Sequence, residues 1–228
     1  ETGQLLCVVG IISNRTSSPI GPESPHQELH ADLLRLRDRL YRRYGFDKIV
    51  GASPAMARVL EQVRLASQSD AHVLLCGAAG TGKALVARTI HQESARRSAP
   101  FLPIDCALVP PDVLEHDLFG TDSQDKPGST HPRPGLLERT AGGTLFLRNV
   151  NKLARDVQSR LRQLLGQNKS RGSPSERERK AGVRVIGAIA SEPAIAIAEG
   201  EFRPDLYFTL STLTIYLPRL CDRKEDLK

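Results

Sequence analysis

The sequence predicts an α/β domain of three layers, a parallel sheet with helices on both of its faces. Short apolar runs of strand length alternate with amphipathic helical patterns through most of the chain, which is how a parallel sheet is written in sequence. One of those runs, Val73, Leu74 and Leu75, passes directly into a glycine-rich turn and then a helix. The 228 residues, 39% hydrophobic and 25% charged, suffice for one ordinary domain with a smaller appendage.

The glycine-rich turn organises the rest. Gly77, Ala78, Ala79, Gly80, Thr81, Gly82 and Lys83 have the spacing of a phosphate-binding loop, whose glycines let backbone N–H groups surround an anion while the lysine reaches the terminal phosphates. The helix that follows points its positive dipole end at the same place. Ala84 stands where a Ser or Thr hydroxyl would hold magnesium, so the pattern predicts a retained grip on phosphate and a weakened grip on metal.

In chain order, residues 1–25 read as the stub of an upstream domain followed by a linker. The apolar run 5–12 is too short to span a bilayer and has no basic segment before it, leaving either the packed end of a preceding domain or a targeting segment. Residues 14–25 are rich in Ser, Pro and Gly. Residues 26–45 predict a linker helix in which Leu29, Leu33, Leu36 and Leu40 form a short a/d seam, either a dimeric coiled coil or an amphipathic helix lying on its own domain. The α/β pattern occupies residues 46–228. Ser53 and Pro54 read as an N-cap and first helical residue, with Met56, Val59, Leu60 and Val63 on the buried face. Further strands are predicted over 73–76, 101–105, 143–147, 183–189 and 213–217, and helices over 112–119 and 156–165.

A net charge of +6 permits contact with nucleic acid, but Lys and Arg are interspersed with acids and aromatics are only 4%, so the charge reads mainly as a solvated surface. The basic segment 169–180 is open to two readings, a DNA contact or a solvated loop. Cys7, Cys76, Cys106 and Cys221 have no metal-ligand spacing, and Cys76 ends a buried strand. Reduced thiols in a cytoplasmic protein are the expectation, with no metal site.

Together these motifs resemble the AAA+ domain of the bacterial enhancer-binding proteins, the NtrC-like activators that remodel sigma-54 RNA polymerase. The resemblance rests on Ile49-Val-Gly-Ala-Ser-Pro-Ala-Met56, the Gly77 to Lys83 loop, Ala87-Arg-Thr-Ile-His91, Pro100-Phe101, Leu118-Phe-Gly120, Arg133-Pro-Gly135, Gly142-Gly-Thr-Leu-Phe-Leu147 and Gly200-Glu-Phe-Arg-Pro-Asp-Leu-Tyr207. It implies a P-loop NTPase (AAA+) core over residues 46–228, with the family's helical lid absent from this chain and its DNA-binding domain further on. It also implies an ATP- or ADP-binding subunit of a ring, with Ile49, Val50 and Gly51 near the adenine and Gly77 to Ala84 around the phosphates.

The same resemblance marks what has been replaced. The family follows its Gly-Thr-Leu-Phe-Leu strand with Asp-Glu, the pair that holds magnesium and activates water; this chain has Arg148 and Asn149, neither of them a carboxylate. Asp105 stands for the asparagine that controls that glutamate, Ala190 for a sensor asparagine, and Ala84 for the glutamate after the loop lysine. Of the two ring-partner arginines, Arg203 is kept and the other is Thr209. Arg203 is therefore either a finger acting in trans on a neighbour's nucleotide or half of a surface ion pair. The loop through which the family touches sigma-54, GAFTGA, here reads Gln124 to Ser129, with Lys126 at the aromatic position and Pro127 stiffening it.

The expectation is a degenerate member of the family, a nucleotide-binding domain of a sigma-54-dependent transcriptional regulator that binds ATP or ADP, depends little on magnesium and hydrolyses poorly. One alternative is an active ATPase that remodels the polymerase, with Asp105 or Glu138 replacing the lost carboxylates. Another is a nucleotide-free module that uses the sheet and the leucine helix for assembly. The expected partners are a second copy through the leucine helix, with ring closure impaired by Thr209, and sigma-54 RNA polymerase by resemblance, with its contact loop lost. DNA is expected only through a domain outside this chain, and no membrane is expected.

Overall fold

In chain order the elements are α1 (Pro54–Gln68), β1 (Val73–Cys76), α2 (Lys83–Gln92), β2 (Phe101–Asp105), α3 (Pro111–Phe119), β3 (Gly120–Thr121), β4 (Arg133–Pro134), α4 (Leu136–Arg139), β5 (Thr144–Arg148), α5 (Arg155–Gln167), β6 (Arg184–Ile189), α6 (Pro193–Ala198), α7 (Pro204–Leu210) and β7 (Leu213–Tyr216). Short 3-10 turns lie at Phe46–Lys48, Val150–Lys152, Leu220–Asp222 and Lys224–Leu227. The structure, a computed structural model, describes residues 45–121, 133–167 and 182–227. The leucine seam, the upstream stub, the 124–129 loop and the basic segment 169–180 lie outside the described residues.

Five strands form a parallel sheet in the order β2-β5-β6-β1-β7, while β3 and β4 pair antiparallel beside it. The apolar run of β1, and that of β6 after Arg184, follow from burial on both faces. Val73 and Leu75 pack with Met56, Val59 and Val63 of α1 and Val86 and Ile90 of α2. Leu74 and Cys76, pointing the other way, join Leu118 of α3, Leu161 of α5 and Leu206 and Leu210 of α7. The three layers expected from the sequence are therefore present.

Several boundaries differ from expectation, for local reasons. Strand β5 runs 144–148 rather than 143–147, because Gly143 belongs to the preceding turn, its N–H bonding Thr140 O at 2.7 Å. A Cβ on Gly143 would stand 2.3 Å from Pro100 O, so the close strand approach needs glycine. Strand β6 begins at Arg184, and β7 ends at Tyr216 although Leu217 N still donates to Cys76 O at 2.8 Å. Leu60 is half-buried, and Ala66 and Ser67 complete the inner face of α1 instead. Helices α6 and α7 were not expected, though each carries its signal in a proline at the first turn, Pro193 and Pro204.

The positive charge, expected to lie mainly on a solvated surface, is buried at two residues. Arg184 is 1% exposed and Arg96 is 5% exposed. Arg184 donates Nη2 to Ala66 O at 2.7 Å and Nε to Ala71 O at 3.1 Å, closing the C-terminal end of α1, where carbonyls lack helical partners and a cation suits the dipole. Burial pulls its pKa down to about 10, with Asp70 opposing. Arg96 pairs Nε with Asp70 Oδ1 at 2.8 Å and reaches Gly143 O and Gly182 O through Nη1. Both side chains bridge backbone carbonyls at loops leading into the sheet. Cys76, Cys106 and Cys221 are free thiols, and burial pushes the first two up to about 12. Among the described residues no helix is long and apolar enough to cross a membrane.

Candidate functional site

At the C-terminal end of β1 the chain leaves the sheet, the place where open α/β sheets hold ligands. Gly77 N donates to Ile189 O at 3.2 Å, fixing the start of the loop against β6. A Cβ on Gly77 would meet Leu217 O at 2.8 Å and Thr81 Oγ1 at 3.0 Å, so no other residue fits there. The hydroxyl of buried Thr81 donates to Ala78 O at 2.9 Å and braces the turn from within. Gly82, with φ of 93°, is the N-cap of α2, and it offers no side chain to the amides of the first turn. Those amides, with the helix dipole, have the chemistry to receive an anion. Lys83 folds over the loop, donating Nζ to Gly77 O at 2.5 Å and Ala78 O at 2.7 Å. Burial, and after it the like charge of Arg148, holds its ammonium below the ordinary lysine range. Ala78 is half-buried and Ala79, Gly80 and Ala84 are exposed around the same turn; Ala84 presents only a methyl group.

The other side of the site is the end of β5. Arg148 lies opposite Asp105 in the β2–β5 register, and its Nε is 3.5 Å from Asp105 Oδ2. Asn149, left-handed at φ 53° as asparagine tolerates, donates Nδ2 to Asp105 Oδ1 at 2.7 Å. Ala107 N reaches the same oxygen at 3.1 Å. The carboxylate named from sequence as a replacement base is thus held by a guanidinium, an amide and a backbone N–H. Its side chain is 13% exposed, whereas Arg148 is 53% exposed and remains open to a ligand. Spacing alone does not announce this cluster: Asp105 and Asn149 are 44 residues apart, and the strand register brings them together.

The remaining positions are spread around this centre. Ala190 follows β6, the strand between β1 and β5, and is exposed. Ile49 is buried, Val50 is 76% exposed and Gly51 is half-buried just before α1. Arg203 is the N-cap residue of α7, its N–H donating to Gln158 Oε1 at 2.9 Å. Its guanidinium pairs bidentately with Asp205, Nε to Oδ1 at 3.0 Å and Nη2 to Oδ2 at 2.9 Å, the contact of the ion-pair alternative. Thr209 bonds back along the same helix to Asp205 O. Glu138 is exposed on α4, which packs against α3, and no described contact joins it to the loop.

A family model described as the sigma-54 interaction domain matches residues 49–216, a span that takes in the loop, the β5 end and the α7 region. The chain belongs to the sigma-54 interaction domain family. The transcriptional regulatory protein GlrR of Escherichia coli (strain K12) is 40% identical over 181 residues, covering 79% of this chain and 41% of that protein. The transcriptional activator RocR of Bacillus subtilis (strain 168) is 40% identical over 184 residues, covering 81% and 40%. NtrX from Brucella abortus, solved in complex with ADP, matches with a TM-score of 0.71 at 30% identity, covering 89% of this chain and 43% of NtrX. The P-loop NTPase domain of an E. coli sigma-54 activator shares the fold at a TM-score of 0.53 and 23% identity, covering 75% and 99%. The P-loop NTPase core expected from sequence is therefore the fold of this sigma-54 interaction domain. The chain spans about two fifths of the length of the curated relatives quoted, 41% and 40%.

Proposed function

We propose that this domain is the nucleotide-binding core of a cytoplasmic sigma-54-dependent transcriptional regulator, holding ATP or ADP with protein amides and cations and hydrolysing it poorly. The observation that carries the reading is Arg148. It stands at the end of β5, close enough to depress the Lys83 ammonium, where catalysis would call for a carboxylate. The anion seat fits a nucleotide phosphate chain: uncapped amides of α2, the Gly77 to Gly82 backbone and Lys83 would hold it, with Ile49, Val50 and Gly51 toward the base. Bound ATP supplies the phosphoryl group. Magnesium does not fit the residues present, since Ala84 offers no oxygen, Arg148 repels a cation and Asn149, tied through Nδ2 to Asp105, has only a neutral amide oxygen to offer in place of a carboxylate. Arg148 itself supplies positive charge beside the phosphates.

Asp105 is the sole carboxylate described at the ends of β2 and β5, which keeps a working ATPase as the second reading. Its contacts oppose that role, because Asn149 and Ala107 both bond Oδ1 and the Arg148 guanidinium stands 3.5 Å from Oδ2, which fixes the carboxylate among its own partners. Sigma-54 RNA polymerase is the partner that family membership supports, although Lys126 and Pro127 replace the residues of the usual contact. Self-association through the leucine seam, and Arg203 acting across a ring, belong to the same proposal.

Steady-state phosphate release tests the reading. Release no greater than that of a Lys83→Ala control, from a preparation that binds an ATP analogue, is the expected result. Turnover above that control would establish the ATPase, and no thermal shift with any nucleotide would favour the assembly module.

A further inference from the structure

The segment after β7 ties together the two halves of the proposed nucleotide site. It leaves the sheet against the phosphate loop, with Leu217 N on Cys76 O at 2.8 Å and Leu217 O 2.8 Å from where a Gly77 Cβ would stand. Its Asp226 then reaches the start of α1. Oδ1 accepts from Ala52 N at 2.7 Å and Ser53 N at 2.8 Å, and Oδ2 accepts from Ser53 Oγ at 2.9 Å. Ser53 Oγ in turn accepts from Met56 N at 3.4 Å. The Asp226 side chain is 2% exposed, with Arg223 Nη1 at 3.9 Å. Burial raises its pKa, but the Ser53 and Ala52 donors and Arg223 outweigh that and hold it below the ordinary carboxylate range.

Two long helices thus begin near the same site in opposite states. The N-terminus of α2 carries no side-chain cap, whereas that of α1 is closed by Ser53 and by a carboxylate from the far end of the described chain. Gly51 is shaped by this closure: a Cβ there would meet Met56 Cγ at 2.6 Å and Asp226 Oδ2 at 3.2 Å. The amides that Asp226 holds follow directly on Ile49, Val50 and Gly51.

We infer that Asp226 is a positioning residue for the base side of the nucleotide site, fixing where Ile49, Val50 and Gly51 stand by gripping the Ala52 and Ser53 amides. The inference rests on the nucleotide reading above. It divides the site into a phosphate half that depends on the loop and a base half that depends on Asp226. Loss of Asp226 frees the second half without touching the first.

The test compares ATP with inorganic tripolyphosphate, which has the phosphates and lacks the base. Titration calorimetry on the full chain, as wild type, D226N and D226A, is run beside thermal melts. D226A is expected to weaken ATP roughly five- to tenfold, the scale of losing a helix cap, with tripolyphosphate affinity unchanged. D226N keeps an acceptor for the two amides and is expected to fall between. Should D226A fail to melt cooperatively, S53A, which removes one donor, carries the same comparison. Equal losses for both ligands, or no loss for ATP, overturn the assignment. A wild type that binds neither ligand overturns the nucleotide reading itself and this assignment with it.

Discussion

Strands β1 and β5 lie on either side of β6, are buried along most of their length and end at the same edge of the sheet, yet they end in opposite chemistry. β1 opens into a glycine loop, a lysine and an uncapped helix, all within one continuous stretch of chain. β5 ends on a guanidinium and an amide that together hold the carboxylate of Asp105. The difference teaches that gripping a phosphate and cleaving it are separable. On the proposed reading the grip is mainly local, made of backbone conformation plus Lys83, with Arg148 of β5 adding a smaller share. Cleavage needs a metal clamp and a base delivered from β5, and there the charge is inverted.

The comparison breaks most visibly on the β1 side. Lys83→Ala is expected to weaken binding of a fluorescent ATP analogue by about 100-fold, about 3 kcal/mol, because the ammonium is the loop's own charge-assisted donor. A change of less than about threefold would place the grip elsewhere.

The rigidity of α2, which carries the loop, is open to a pH test of similar size. His91 is buried on α2, its Nδ1 3.0 Å from Thr144 Oγ1. Burial, then the charges of Arg184, Arg88 and Arg96, lower its pKa from 6.5 to about 4 against a hydrogen bond to Ala99. The folded state therefore keeps the ring neutral while the unfolded chain takes up a proton below pH 6.5. The stabilisation is complete above that pH and is lost as the pH falls from 6.5 toward 4, by up to about 3 kcal/mol at about 1.4 kcal/mol per pH unit. Denaturant melts across this window should slope in the wild type and flatten in His91→Gln; identical slopes would contradict the assignment.

A smaller effect sharpens the β5 side. Arg148→Ala should weaken the ATP analogue by about fivefold, roughly 1 kcal/mol, as expected for a half-exposed cation near phosphate. Unchanged affinity would mean that Arg148 serves Asp105 alone.

Much of this was legible in the sequence because it is local. The apolar run into Gly77, the Ser53-Pro54 start of α1 and the span of β2 depend on neighbours along the chain, and the structure places them as read. What escaped depends on partners brought from afar. Arg184 looks like any surface arginine until Ala66 and Ala71 turn their carbonyls to it. Asp105 looks like a free carboxylate until the β2–β5 register sets Arg148 opposite. Asp226 caps a helix 173 residues earlier than itself, a distance over which no periodicity or spacing speaks.

The central claim is that protein cations, and not a metal, neutralise the phosphates. Titration of a fluorescent ATP analogue in magnesium and again in chelator measures this directly. Closely matching affinities are the predicted result, since Lys83, Arg148 and the α2 amides act without a metal. Tightening by magnesium of about tenfold or more would contradict it, because that gain requires a set of oxygen ligands, of which Ala84 and Arg148 supply none and Asn149 only a neutral amide oxygen.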